Sequence, residues 1–179
     1  MKKKKSNTSW IIKITIFAFI LAMTFSLLSD FVFKDANIYI GIIAIIFFIL
    51  IALVFDIIAL SITYVDMEPL NSLSSKKVKG ANITVILKKN MEKITTLFCD
   101  VIGDVCGIIT GSLGVVISTQ ISLKFNMSFL ITTVLITSII AALTILCKAM
   151  NKVIAIKNST KIILSFSRIL SLFYTPKKK

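Results

Sequence analysis

The chain contains no histidine, two prolines and three cysteines, and only 8 acidic residues stand against 21 lysines and arginines. The absence of histidine excludes imidazole metal sites and histidine acid–base chemistry. Cys99, Cys106 and Cys147 all fall in apolar runs without a CxxC pair. They read as small buried residues rather than as disulfides or zinc ligands. A phosphate-binding loop and a nucleophile–base pair are also lacking, and no stretch is polar enough to make a pocket-bearing soluble domain. A conventional enzyme is therefore not expected. What fills the chain instead is hydrocarbon: 56% of its 179 residues are hydrophobic, with a mean hydropathy of +0.95. Several runs of about 20 apolar residues mark an all-α integral membrane protein. The net charge of +13 does not point to nucleic acid, because the basic residues lie between apolar runs rather than on a soluble face. Their expected partner is the lipid bilayer.

Taken in order, Lys2 to Lys5 precede an apolar run from Trp10 to Leu28, with Lys13 near its start. Such a segment is either a signal peptide or a first membrane span. The lack of a small-x-small cleavage site favours a retained span. Asp30 to Asn37 reads as a polar loop, and Ile38 to Tyr64 as a second span with Asp56 as its one charged residue. The polar insert 66–91 predicts a cytoplasmic helix pair. Pro69 is expected at the first helical position after caps Asp66 and Glu68, and Gly80 is expected to end that helix. A second short helix then begins near Ile83. The third span is expected over Thr95 to Ser118, followed by a tight turn over Ile121 to Met127. The fourth is expected over Ser128 to Cys147, leaving through Lys148, Asn151 and Lys152. Residues 154–175 predict an amphipathic helix lying along the membrane surface, with Lys157, Lys161 and Arg168 among its apolar positions.

Four spans with both termini in the cytoplasm put 19 of the 21 basic residues on one side, leaving only Lys34 and Lys124 opposite. That is the positive-inside solution, and it predicts a multi-pass protein of the cell membrane. Residues 1–37 hold the basic N-terminus and extra first span. Residues 38–179 hold a three-span core with its insert and tail.

The third span carries two carboxylates, Asp100 and Asp104, stacked one helical turn apart. Gly103, Gly107 and Gly111 recur at the same spacing and would let another helix come close. An ionised carboxylate inside a bilayer costs roughly 2.5–3.5 kcal/mol even on lenient scales, so each requires compensation. At about 1.5 Å per residue, Asp56 and Asp100 both lie on the order of 10 Å from the cytoplasmic ends of their spans, and Lys148 stops in the same layer. Three readings follow. The carboxylates hold a hard cation through oxygen ligands alone; or Lys148 neutralises them in an internal ion pair; or they carry protons.

These residues also carry a family resemblance. From about Ala44 to Phe173 the chain resembles the transmembrane domain of the cyclin M / CorB–CorC magnesium transporters. Those proteins have three membrane helices, a cytoplasmic helix pair after the first and an interfacial belt helix after the last. Where the family has Phe-Ser-x-Ser-Glu, this chain has Phe55, Asp56, Ile57, Ile58 and Ala59. Where it has Gly-Asn-x-x-Val-Asn, with both asparagines at its cation site, this chain reads Cys99, Asp100, Val101, Ile102, Gly103 and Asp104. The family's Gly-Glu-x-x-Pro-Lys corresponds to Cys147, Lys148, Ala149, Met150, Asn151 and Lys152.

The resemblance implies a membrane protein that binds, and moves, Mg2+ or a related divalent cation, with Asp56, Asp100 and Asp104 as ligands. Gly103 and Gly107 would allow close helix approach, and the protein would be a homodimer. It leaves open a non-transporting membrane subunit or scaffold whose aspartates are neutralised by Lys148. No room follows Thr175 for the paired CBS module common in the family, so regulation of that kind would need a separate subunit.

Overall fold

A computed structural model describes residues 8–33 and 37–173. Lys2 to Lys5, Lys34 and everything after Phe173, including Lys177 to Lys179, lie outside the described residues. All regular structure among the described residues is helical: α1 (Thr8–Phe33), α2 (Ile38–Tyr64), α3 (Met67–Ser75), α4 (Ala81–Lys89), α5 (Met91–Thr95), a π-helical stretch (Thr96–Ile102), α6 (Gly103–Phe125) and α7 (Phe129–Phe173). Among the described residues four helical segments are long and apolar enough to cross a membrane: Trp10–Phe33, Ile38–Tyr64, Met91–Phe125 and Phe129–Leu172.

Several boundaries differ from the sequence reading, each for a local reason. α1 continues to Phe33, so Asp30 lies on a helix rather than in a loop. α3 starts at Met67, two residues before Pro69, which is tolerated because the first-turn N–H groups have no intrahelical acceptor anyway. Gly80 does not end α3. It adopts φ +89° immediately before α4, a conformation that costs glycine little. α6 runs to Phe125, through most of the expected turn, and the chain reverses at Asn126, with φ +50°. The Met127 N–H then bonds back to the Ser122 carbonyl at 3.1 Å. The fourth span does not stop at Cys147: α7 continues past Lys148 and Asn151 to a kink at Asn158 (φ −123°, ψ 19°). The tail is thus the part of α7 beyond that kink.

Packing divides the chain into two compact units. One comprises Met1–Phe48 with Val105–Ile140. Its buried positions include Ile45, Val105, Ile109, Leu113 and Ile117. The close approaches occur at Gly41 and Gly114. A Cβ on Gly41 would lie 3.0 Å from Ile117 Cγ1, and one on Gly114 would lie 2.8 Å from Ile140 Cδ1. Expectation had placed such contacts at Gly103, Gly107 and Gly111. Instead, among the described residues and apart from their own helix backbone, nothing lies within 4 Å of a Cβ on Gly107 or Gly111, and a Cβ on Gly103 meets the carbonyl of Phe98.

The second unit comprises Ile49–Asp104 with Ala141–Lys179. Its core joins Ile58 and Ile62 of α2, and Val65 just beyond it, to Leu70 of α3 and Ile163 of α7. Phe98 packs edge-on against Phe55, with centroids 5.1 Å apart, and against Phe166 at 6.1 Å. The α3–α4 pair is clamped onto the post-kink part of α7. The buried Thr84 hydroxyl donates to Ser167 Oγ at 2.9 Å, and Gly80 lets the two backbones meet, since a Cβ there would lie 3.0 Å from the Arg168 nitrogen. Lys88 finishes α2: its ammonium donates to the carbonyls of Ile62 (3.1 Å) and Thr63 (2.8 Å). A cation at the carbonyl end of a helix answers both the orphan acceptors and the helix dipole.

Candidate functional site

Asp56 lies two turns before the end of α2, on the face that also buries Ala52 and Ala59. The flanking alanines leave room for a neighbouring helix, so the carboxylate is drawn inward and is only 7% exposed. The group that meets it is Cys99, whose thiol donates to Asp56 Oδ1 at 2.8 Å.

Cys99 sits in the π-helical stretch Thr96–Ile102. Such wide turns insert extra backbone into an α-helix and recur at functional sites. This one closes where the Gly103 N–H is shared between the carbonyls of Phe98 and Asp100. Across it, Cys99 turns towards Asp56 while its neighbour Asp100 is exposed, and Asp104 is exposed as well.

From α7, Asn151 donates its amide to the Leu53 carbonyl of α2 at 2.8 Å. This tie fixes α7 against α2 about one turn from Asp56. Lys148, three residues earlier, is half-buried. Asp56, Asp100 and Lys148 all come within electrostatic reach of the Cys99 thiol. Among the described residues, no hydrogen bond or ion pair joins Lys148 to Asp56, Asp100 or Asp104.

The structure therefore joins Asp56 to Cys99 and leaves Asp100 and Asp104 exposed, with Lys148 half-buried one turn before the Asn151 tie. Among the described residues no group of three or more cysteines, aspartates or glutamates forms a metal-holding cluster. Two residues of this layer escaped the sequence reading. Cys99 reads from the sequence as a small buried residue, with no expected role beside Asp56. Asn151 was expected only to mark the end of the span. Polarity at a matched depth is the signal that would have found both.

Chemically, the layer offers one buried carboxylate whose hydrogen-bond donor among the described residues is a weak thiol, a second, exposed carboxylate, and a nearby cation. It can accept a hard cation or a proton. Compared with known protein families, curated proteins and solved structures, the chain matches none.

Proposed function

We propose that this chain is a multi-pass membrane protein of the CorB-like type that takes a hydrated Mg2+ ion, or a related hard divalent cation, as its cargo at Asp56 and Asp100. The observation that carries the reading is Asp56 itself: a carboxylate 7% exposed, in an apolar helix long enough to cross a membrane, with a thiol as its hydrogen-bond partner. A buried carboxylate held by so weak a donor is under-compensated, and a cation supplies what is missing. The donor set suits Mg2+ better than Ca2+. Magnesium keeps several of its waters and is held through one or two carboxylates, whereas calcium demands about 6–8 oxygen ligands. Asp104, exposed one turn beyond Asp100, would act as an outer carboxylate for the approaching ion.

The positive-inside distribution sets both termini in the cytoplasm, and the cell membrane is the location that follows. A homodimer follows from the resemblance. The open surroundings of Gly107 and Gly111, with nothing within 4 Å of an added Cβ, leave space for a second copy.

A thermal-shift titration of the purified, detergent-solubilised protein with Mg2+, against Na+ at matched ionic strength, tests the reading. Saturable stabilisation by Mg2+ that vanishes in Asp56→Asn is expected, by mass action on the folded state. A flat response in the unaltered chain would overturn it.

One observation favours a second reading. Lys148 lies within electrostatic reach of the same thiol, as a membrane scaffold with internally balanced charge would require. In that protein Lys148, not an ion, offsets the aspartates, and removing it destabilises the fold without any divalent cation present.

A further inference from the structure

The second unit carries a concentration of positive charge that the cation reading does not use. Between residues 65 and 99 there are six lysines and three acidic residues; between 149 and 173 there are three lysines, one arginine and no acid. Lys88 is engaged with the carbonyl end of α2. The others are exposed.

The fold does not spread these cations evenly. The clamp at Gly80, where an added Cβ would stand 3.0 Å from the Arg168 nitrogen, sets the turn bearing Lys76, Lys77 and Lys79 directly against the tail at Arg168. Exposed cationic residues about 90 positions apart in sequence thus flank one close approach of the backbone. Opposing charge is missing on the elements that build it. α4 and the post-kink part of α7 have no acidic residue, and Glu68, the one acid of α3, lies in its first turn, at the end away from the cluster.

The backbone of this turn is also costly. Lys77 adopts φ +56°, in a helix C-cap where its N–H bonds to the Ser74 carbonyl and the Val78 N–H to that of Leu73. Glycine is the residue usually found at that left-handed position. Immediately beyond Arg168, Ile169 and Leu172 are 58% and 72% exposed, so the cationic corner borders an apolar strip on the same helix.

We propose that the Lys76–Lys79 turn and Arg168 bind the phosphate of an anionic phospholipid, with its acyl chains lying along Ile169 and Leu172. Charge complementarity selects the headgroup: exposed cations on elements that carry no acid beside them attract an anion, and the inner leaflet supplies anionic lipid at high local concentration. The adjoining apolar side chains select a lipid over a free anion, because only a lipid covers both. The site rests on the membrane reading above but not on the cation at Asp56.

The test uses the full chain in neutral detergent, with thermal stability followed against added phosphatidylglycerol, phosphatidylcholine or inorganic phosphate. Saturable stabilisation by phosphatidylglycerol alone is expected. Lys79→Gln and Arg168→Gln should each weaken it on the order of fivefold. Lys77→Gly is the discriminating variant: it removes a charge while relieving the left-handed backbone, so lipid affinity should fall although the lipid-free melting temperature does not. Equal protection by phosphatidylcholine, unchanged affinity in the three variants, or protection by inorganic phosphate at the same concentrations would each overturn the site. Alkaline extraction of membranes separates the two levels of the argument. Release of the chain into the supernatant sinks the membrane reading and the site together, whereas a retained chain without a phosphatidylglycerol response sinks only the site.

Discussion

The Cys99 thiol donates a hydrogen bond to Asp56 across 2.8 Å, linking the π-helical stretch of the third span candidate to the buried face of the second. A thiol is a poor donor, and a cation arriving at the carboxylate would displace it. Cys99→Ala should therefore destabilise the cation-free protein by about 1 kcal/mol while lowering the Mg2+ concentration at half-maximal stabilisation. Asp56→Asn should retain the fold and lose the Mg2+ response altogether. A thermal-shift titration reads both, and a persisting response in Asp56→Asn would remove Asp56 from the site.

Lys148→Ala separates cargo from counter-ion. If the aspartates await a cation, deleting a nearby ammonium should tighten Mg2+ binding and leave the cation-free melting temperature nearly unchanged. If Lys148 is the permanent counter-ion, the variant should lose on the order of 3–5 kcal/mol in the absence of divalent ions. Denaturation of the two proteins in chelator distinguishes these outcomes.

Two glycines should respond in opposite ways to the same substitution. At Gly80 the added methyl meets backbone atoms of Ser167 and Arg168, which cannot give way, and φ is +89°. Gly80→Ala should cost on the order of 1–3 kcal/mol. At Gly107 the methyl meets nothing within 4 Å, so Gly107→Ala should be neutral, or stabilising by up to about 1 kcal/mol, within the helix of a monomer. Comparing the melting temperatures of the two variants checks the contrast. Loss of a cross-linked dimer in Gly107→Leu, with an intact monomer, would support a second copy at that open position.

Lys88 terminates α2 through two carbonyls. Lys88→Met keeps the apolar stem and removes both bonds, and should cost about 1–2 kcal/mol. Hydrogen exchange should locate that loss at Ile62 to Val65. Equal protection there in both proteins would show the cap to be energetically idle.

The long apolar helices were legible because their signal is local. An unbroken run such as Ile38–Tyr64 needs no partner to declare itself, and α2 has the bounds read from its sequence. Turns were read less well. Gly80 reads as a stop because glycine breaks helices, whereas its role is to let the backbone at Arg168 approach. Asn151 gave no reason to expect a bond to Leu53, 98 residues away.

The sequence by itself determined the number of long apolar helices, the bounds of α2, the basic segments between the spans and the presence of three aspartates in otherwise apolar surroundings. These follow from composition and from the rise of a helix. Only the tertiary structure decided which aspartate is buried. A helix apolar on every side, as α2 nearly is, has no amphipathic face to fix its rotation, so periodicity cannot say which way Asp56 points. Packing of Ala52 and Ala59 turns it inward to Cys99. In the third span candidate, the π-helical stretch leaves Asp100 exposed while Cys99 faces the carboxylate, a division that four-residue spacing alone could not reveal.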